Sequence, residues 1–180
     1  EFSATATNKI GPFNASFTGD IELQDLNPPN SYKIIGSDLP DEIEVEIYFE
    51  EIQAQIIEQI KNAKYSIWLA VAWLTDKILL RELYKKKQEG LSVRIVVLDD
   101  EINKKHGIEY EKFFETKRFK PIGKYENIMH HKFCVIDLKT IIHGSYNWTN
   151  KARWNKETVS IDNSRELAEK FSTEFIELIK

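Results

Sequence analysis

The chain of 180 residues has one cysteine, Cys134, so no disulfide can close within it and a cysteine-rich zinc site is excluded. It has no long hydrophobic run. The longest, Ile67 to Leu74, is far short of the roughly 20 residues that a membrane-spanning helix needs. Proline is scarce, and four of the five lie within the first 40 residues. Positive charge is outnumbered, with 25 Lys and Arg against 29 Asp and Glu, and the net charge of -4 taken alone argues against a polyanionic partner. What the chain does have is apolar substance. Ten Phe, seven Tyr, four Trp and a hydrophobic share of 42% exclude disorder and suffice for the core of one globular domain.

The net charge conceals a partition. Residues 1–60 hold 2 basic and 12 acidic residues, residues 61–156 hold 20 and 11, and residues 157–180 hold 3 and 6. Asymmetry of this kind points to an anionic ligand for the middle block alone. The proline-containing stretch 1–42 shows no clear period and reads as an arm or irregular cap, ahead of a domain spanning 43–180. The chain opens on Glu1 rather than Met, which reads as a processed or excised start.

From Ile43 the pattern becomes regular. Ile43, Val45, Ile47 and Phe49 alternate with acidic residues as in an edge strand, and Ile52, Ile56, Ile57 and Ile60 share one helical face. Ser66 to Ala72 suits a strand buried on both faces. A helix capped by Thr75 or Asp76 and closed at Gly90 leads to a strand at Ser92–Leu98, and this strand–helix–strand unit predicts a layered α/β fold. Further on, the pattern predicts a short helix at 109–118, an extended segment at 119–125, strands at 132–137, 140–143 and 157–161, and a helix at 165–179. The acidic Asp99-Asp100-Glu101 reads as a solvated turn, and Cys134 and Trp148 as core.

The stretch from Met129 to Ile161 carries the chemistry. His130, Lys132, Asp137, Gly144, Ser145 and Asn147 satisfy H-x-K-x4-D-x6-G-S-x-N at every specified position, and Asn155 and Glu157 follow as N-x-E. Residues two apart on a strand share a face, so His130 and Lys132 place an imidazole beside an ammonium. A neutral imidazole can attack a phosphodiester at neutral pH without a metal, and the cation offsets charge on the non-bridging oxygens. Gly144 permits close backbone approach, while Ser145 and Asn147 can donate to a phosphate. His131 belongs to the opposite face, and His143 sits near the site without an assigned part. Lys151, Arg153 and Trp154, just downstream, combine cations with an aromatic ring, as contacts to nucleic acid do.

This pattern resembles the HKD signature of the phospholipase D superfamily, and in particular its small single-motif members, which include bacterial endonucleases and the mitochondrial cardiolipin hydrolase-like proteins. The resemblance covers about residues 43–178 and implies an α/β/α sandwich with a mixed central sheet and one motif per chain. It implies that His130 becomes a transient phosphohistidine, that Lys132 and Asn147 bind phosphate with Ser145 in support, and that Asp137 is a supporting carboxylate of the catalytic set. It also implies that Glu157 accepts the proton on the other ring nitrogen of His130. No cofactor or metal is called for. Thr158 stands where many members carry a further Asn, and the zinc insertion and membrane anchor of the animal members are not found.

The expected function is therefore a metal-independent phosphodiesterase, a nuclease on DNA or RNA first, with single strands suiting a narrow cleft best. A phosphodiesterase acting on anionic, cardiolipin-like phospholipids is the alternative, and a non-catalytic nucleic-acid-binding module of a larger protein the third reading. The expected setting is soluble, in cytoplasm or periplasm. The reaction needs a second histidine to protonate the leaving oxygen. None of His106, His131 or His143 has a lysine two residues on. The resemblance thus implies a homodimer with His130 from each subunit across a two-fold axis. The active species is expected to be a dimer. Light scattering run alongside an activity assay checks this, and a fully active monomer contradicts it.

Overall fold

The computed structural model describes residues 43–180; the arm assigned to 1–42 lies outside the described residues. In chain order the elements are β1 (Glu44–Tyr48), α1 (Ile52–Asn62), β2 (Ser66–Val71), α2 (Lys77–Gln88), β3 (Ser92–Leu98), α3 (Glu101–His106), β4 (Glu115–Phe119), β5 (Lys132–Ile136), β6 (Thr140–Gly144), β7 (Val159–Asn163) and α4 (Arg165–Ile179). Two 3-10 turns, Tyr110–Lys112 and Lys151–Trp154, complete them. The seven strands form one sheet in the order β1-β7-β6-β5-β2-β3-β4. β2, β3 and β4 run parallel to one another, and every other pairing is antiparallel, which is the expected mixed sheet.

Alternation along the strands feeds two cores. Ile67, Leu69 and Val71 of β2 pack with Ile56 and Ile60 of α1 and with Leu79 and Leu83 of α2, whereas Ala70 joins Phe133, Val135 and Ile141 under Ala168 and Phe175 of α4. Burial on both faces is why β2 reads as an unbroken apolar run. Cys134 lies fully buried in the first core, where desolvation pushes its thiol pKa up and leaves it unreactive. Trp148 is core as well.

The caps explain where the helices begin. Asp76 Oδ1 accepts from the amides of Ile78 (2.8 Å) and Leu79 (3.3 Å), and Ser164 Oγ accepts from Leu167 N (3.3 Å) at the start of α4. The turn expected at Asp99-Asp100-Glu101 is instead the start of α3. Asp100 caps it through Asn103 N (2.9 Å), and the buried Asn103 amide donates to Ala72 O (2.7 Å) and Leu98 O (2.8 Å). Those bonds pin α3 to the ends of β2 and β3. The helix expected at 109–118 shrinks to a 3-10 turn, because from Glu115 the chain pairs with β3 as β4 and ends at Phe119 rather than continuing to 125. At the other edge, β1 pairs among the described residues only with β7. Its apolar row stays in solvent, with Val45 56% and Ile47 57% exposed.

Asp137 lies away from the other residues of the motif. It stands beyond the end of β5, seven residues and about 23 Å of extended chain from His130, in a turn at φ 54°. Its carboxylate accepts three backbone amides, Lys64 N (2.8 Å), Tyr65 N (2.7 Å) and Ser66 N (2.8 Å). It closes the loop that delivers β2 to β5, at the opposite end of β5 from His130. Asp137→Ala is expected to lower unfolding free energy by about 2 kcal/mol, the scale of bonds to a charged acceptor. Urea denaturation checks it, with Asp137→Asn recovering part of the loss.

Candidate active site

Strand directions decide which residues meet. β5 is antiparallel to β2 and β6, β6 is antiparallel to β7, and β2 is parallel to β3. The start of β5, the end of β6, the start of β7 and the ends of β2 and β3 therefore share one edge of the sheet. That edge gathers His130 and Lys132, then Gly144 to Asn147, then Glu157, and finally Trp73 and Asp100.

His130 lies just before β5 rather than within it, and is exposed. Its ring is placed by Trp73, which meets it edge-on at 5.7 Å and 78°. The indole is itself held, since Trp73 Nε1 donates to Asp100 Oδ2 at 2.6 Å. Lys132 donates to the backbone carbonyl of His130 at 2.8 Å. Burial, then the Lys132 charge, then His131 hold the His130 imidazolium below the usual value of 6.5. Burial likewise draws the Lys132 ammonium down, against the opposing pull of Glu157.

The glycine of the motif is required sterically. Gly144 has φ 155°, and a Cβ there would lie 2.0 Å from Thr158 O. Without a side chain, β6 and β7 close up and Ser145 N donates to Thr158 O at 2.9 Å. Ser145 Oγ then accepts from Thr158 N (3.0 Å) and donates to Glu157 Oε2. The other carboxylate oxygen of Glu157 accepts from Asn155 Nδ2 at 3.0 Å. The expected bond from Glu157 to His130 is absent among the described residues, where its two oxygens accept from Ser145 and Asn155 instead. Asn147 keeps its side chain uncommitted among the described residues, with Oδ1 buried and without a partner there.

Asn147 and Glu157 stand in a cleft of about 880 Å³ whose wall carries Lys77, Lys105, His106 and Lys151, with Glu157 as the only carboxylate among its lining residues. Of the three residues picked as nucleic-acid contacts, Lys151 lines this cleft and Trp154, 82% exposed, stands at its rim. Arg153 stacks near Trp154 (5.9 Å) but lines a neighbouring cavity instead. His131 turns away, to Glu174 Oε1 at 3.1 Å. His143 does the same, with Nε2 2.8 Å from the buried Asp162 and its ring near Phe171 on the α4 side. Sequence reasoning missed Trp73, Lys77, Lys105 and His106. Trp73 was findable as an aromatic residue directly after a buried strand, where sites gather in open α/β sheets.

The arrangement supplies an imidazole that favours its neutral form, an adjacent cation, an uncommitted amide and a basic cleft. Residues 56–179 match the family model described as "Cardiolipin synthase, PLD-like domain". A "Phospholipase D" of Rickettsia felis is 35% identical over 120 residues, covering 64% of this chain and 58% of that protein. A "Mitochondrial cardiolipin hydrolase" of Chlamydomonas reinhardtii is 25% identical over 126 residues, covering 69% and 56%. The chain thus spans under three fifths of the length of these curated relatives. Among solved structures, NucT from Helicobacter pylori superposes with a TM-score of 0.69 at 24% identity, covering 77% of this chain and 96% of that one. Nuc from Salmonella typhimurium, described as a phospholipase D family member, gives 0.68 at 22% identity, covering 76% and 94%. At these identities the two structures speak for the fold.

Titration of His130 tests the electrostatics directly. The ring is expected to titrate below 6.5 by NMR, and Lys132→Met to move it upward without restoring the full value, because burial is the larger cause.

Proposed function

The chain belongs to the phospholipase D superfamily, and on that premise we propose that it is a metal-independent phosphodiesterase that cleaves nucleic acid from a homodimeric active site. His130 attacks phosphorus through a neutral ring nitrogen, forming an N–P bond as the bond to the leaving oxygen breaks. His130 of the second subunit gives that oxygen its proton. The same ring then takes a proton from water, whose oxygen displaces the first imidazole and releases a phosphomonoester. Lys132 and Asn147 hold the non-bridging oxygens, and Ser145 and Asn155 fix the Glu157 carboxylate beside Lys132.

The observation that carries the nuclease reading is the cleft itself, where three lysines and His106 face one carboxylate. A single headgroup phosphate needs one or two cations; a row of them suits a polymer of phosphates. One observation favours the second reading, a phosphodiesterase of anionic phospholipids. Val45 and Ile47 of β1, with Ile43 and Phe49 flanking it, form an exposed apolar row, as a membrane-facing surface would. Among the described residues no helix is long and apolar enough to cross a membrane.

Incubation with single- and double-stranded DNA, RNA, cardiolipin and bis-p-nitrophenyl phosphate, in EDTA, separates these readings. Polynucleotide cleavage that survives EDTA, falls on acidification through the depressed His130 pKa and vanishes in His130→Ala is expected. Lys105→Gln or Lys151→Gln is expected to flatten the salt dependence of binding by about one unit of log–log slope. Lipid turnover without polynucleotide cleavage reverses the choice.

A further inference from the structure

The 3-10 turn Lys151–Trp154 separates the basic cleft that Asn147 and Glu157 line from a second cavity of about 440 Å³, whose walls include Phe49, Gln53, Tyr146, Arg153, Trp154 and Lys156. Ala152, Trp154 and Asn155 line both, so the two cavities adjoin. Nothing in the catalytic scheme uses the second one.

Its chemistry points to a ligand. Tyr146 is 2% exposed, yet its hydroxyl has no hydrogen-bond partner among the described residues, with Asp76, Arg153 and Glu157 as its charged neighbours. Buried polar groups are almost always paired, so an orphan on a cavity wall marks a place for a missing partner. Two aromatic side chains of the same wall are held out in solvent, Phe49 at 61% and Trp154 at 82% exposure. Exposed rings of this kind are stacking surfaces, and among the described residues the Arg153 guanidinium, 5.9 Å from the Trp154 ring, leaves most of their area free. Lys156 reaches across to Glu50 at 2.8 Å, and an exposed pair of this sort exchanges readily for a phosphate contact.

We propose that this cavity binds one unpaired nucleobase of the strand whose phosphate occupies the basic cleft. The base stacks against Trp154 or Phe49, its edge pairs with the Tyr146 hydroxyl, and Arg153 and Lys156 take the adjoining backbone. A duplex keeps its bases stacked inside, so only a single strand or a frayed end can supply the ligand. The inference rests on the nuclease reading and narrows it to unpaired substrate with one base gripped beside the scissile phosphate.

The test uses full-chain protein carrying His130→Ala, which binds without turnover, and fluorescence anisotropy of a labelled oligothymidylate in which a single abasic site is moved along the strand. One position is expected to weaken binding about tenfold, the size of a lost base–aromatic stack. Adding Trp154→Ala, or Tyr146→Phe, which removes only the hydroxyl and spares the packing, is expected to shrink that penalty to about twofold or less. A profile in which every abasic position costs the same, or one unchanged by both variants, overturns the cavity assignment and leaves the nuclease reading standing. Failure to bind any oligonucleotide, with binding to cardiolipin vesicles instead, overturns both.

Discussion

Strand β5 is hydrogen-bonded on both edges, to β2 and to β6, and a strand held that way cannot slip by one residue without turning Phe133 and Val135 toward the wrong core. That fixed register sets the position of Lys132, opposite Val71, and of His130 just before it. It also places the end of β6 beside the start of β5, so Gly144 and Ser145 arrive next to the lysine without any long-range loop. The carboxylate of Asp137 secures the far end of the same pairing by gathering the amides that lead into β2. The motif thus spans a strand pair from end to end: chemistry at one edge of the sheet, and at the other the anchor that sets its register.

Electrostatics follows from the same geometry. Desolvation disfavours the charged form of both His130 and Lys132, and the Lys132 ammonium lowers the His130 imidazolium further, while Glu157 opposes the shift of Lys132. Lys132 donates to a neutral carbonyl, that of His130, rather than to a carboxylate. A bond of that kind exchanges for a charge-assisted bond to a phosphate oxygen at a gain, whereas an established ion pair would first have to break. Glu157 is the nearby carboxylate, and Ser145 and Asn155 orient it. It acts on the lysine through its charge and makes no bond to it among the described residues.

Elements with a strong local pattern were legible in the sequence. α2 between Asp76 and Gly90, β3 at 92–98 and α4 at 165–179 all carry their caps and stripes with them, and the structure has them there. What was not legible depended on pairing across the fold. Residues 115–119 carry no strong strand signal, and only β3 alongside makes them a strand. α3 is too short to show a helical period, and its stability comes from Asn103 reaching back to Ala72 and Leu98. In the site, adjacency in the motif placed His130, Lys132, Ser145 and Asn147 at one edge. It did not show that a strand's length separates Asp137 from the histidine, nor that the Glu157 oxygens accept from a hydroxyl and an amide. Trp73 comes from another strand, so no spacing within the motif could have pointed to it.

The segment 145–148 shows why the two cavities belong together. Its side chains alternate: Ser145 and Asn147 serve the cleft side, while Tyr146 and Trp148 are buried, and the Trp148 carbonyl accepts from Thr75 N and Asp76 N at 2.9 Å each. That anchoring fixes the backbone while leaving the Tyr146 hydroxyl and the Asn147 Oδ1 as buried atoms without partners on successive residues. Folding alone does not favour such a pair, since each desolvated and unpaired group opposes stability. A ligand lying across the Lys151–Trp154 turn meets each residue in its own sense: Asn147 Nδ2 donates to a phosphate, whereas Asn147 Oδ1 and the Tyr146 hydroxyl call for the N–H and acceptor groups of a base edge. A polynucleotide presents phosphate and base side by side, and a lipid headgroup carries no base.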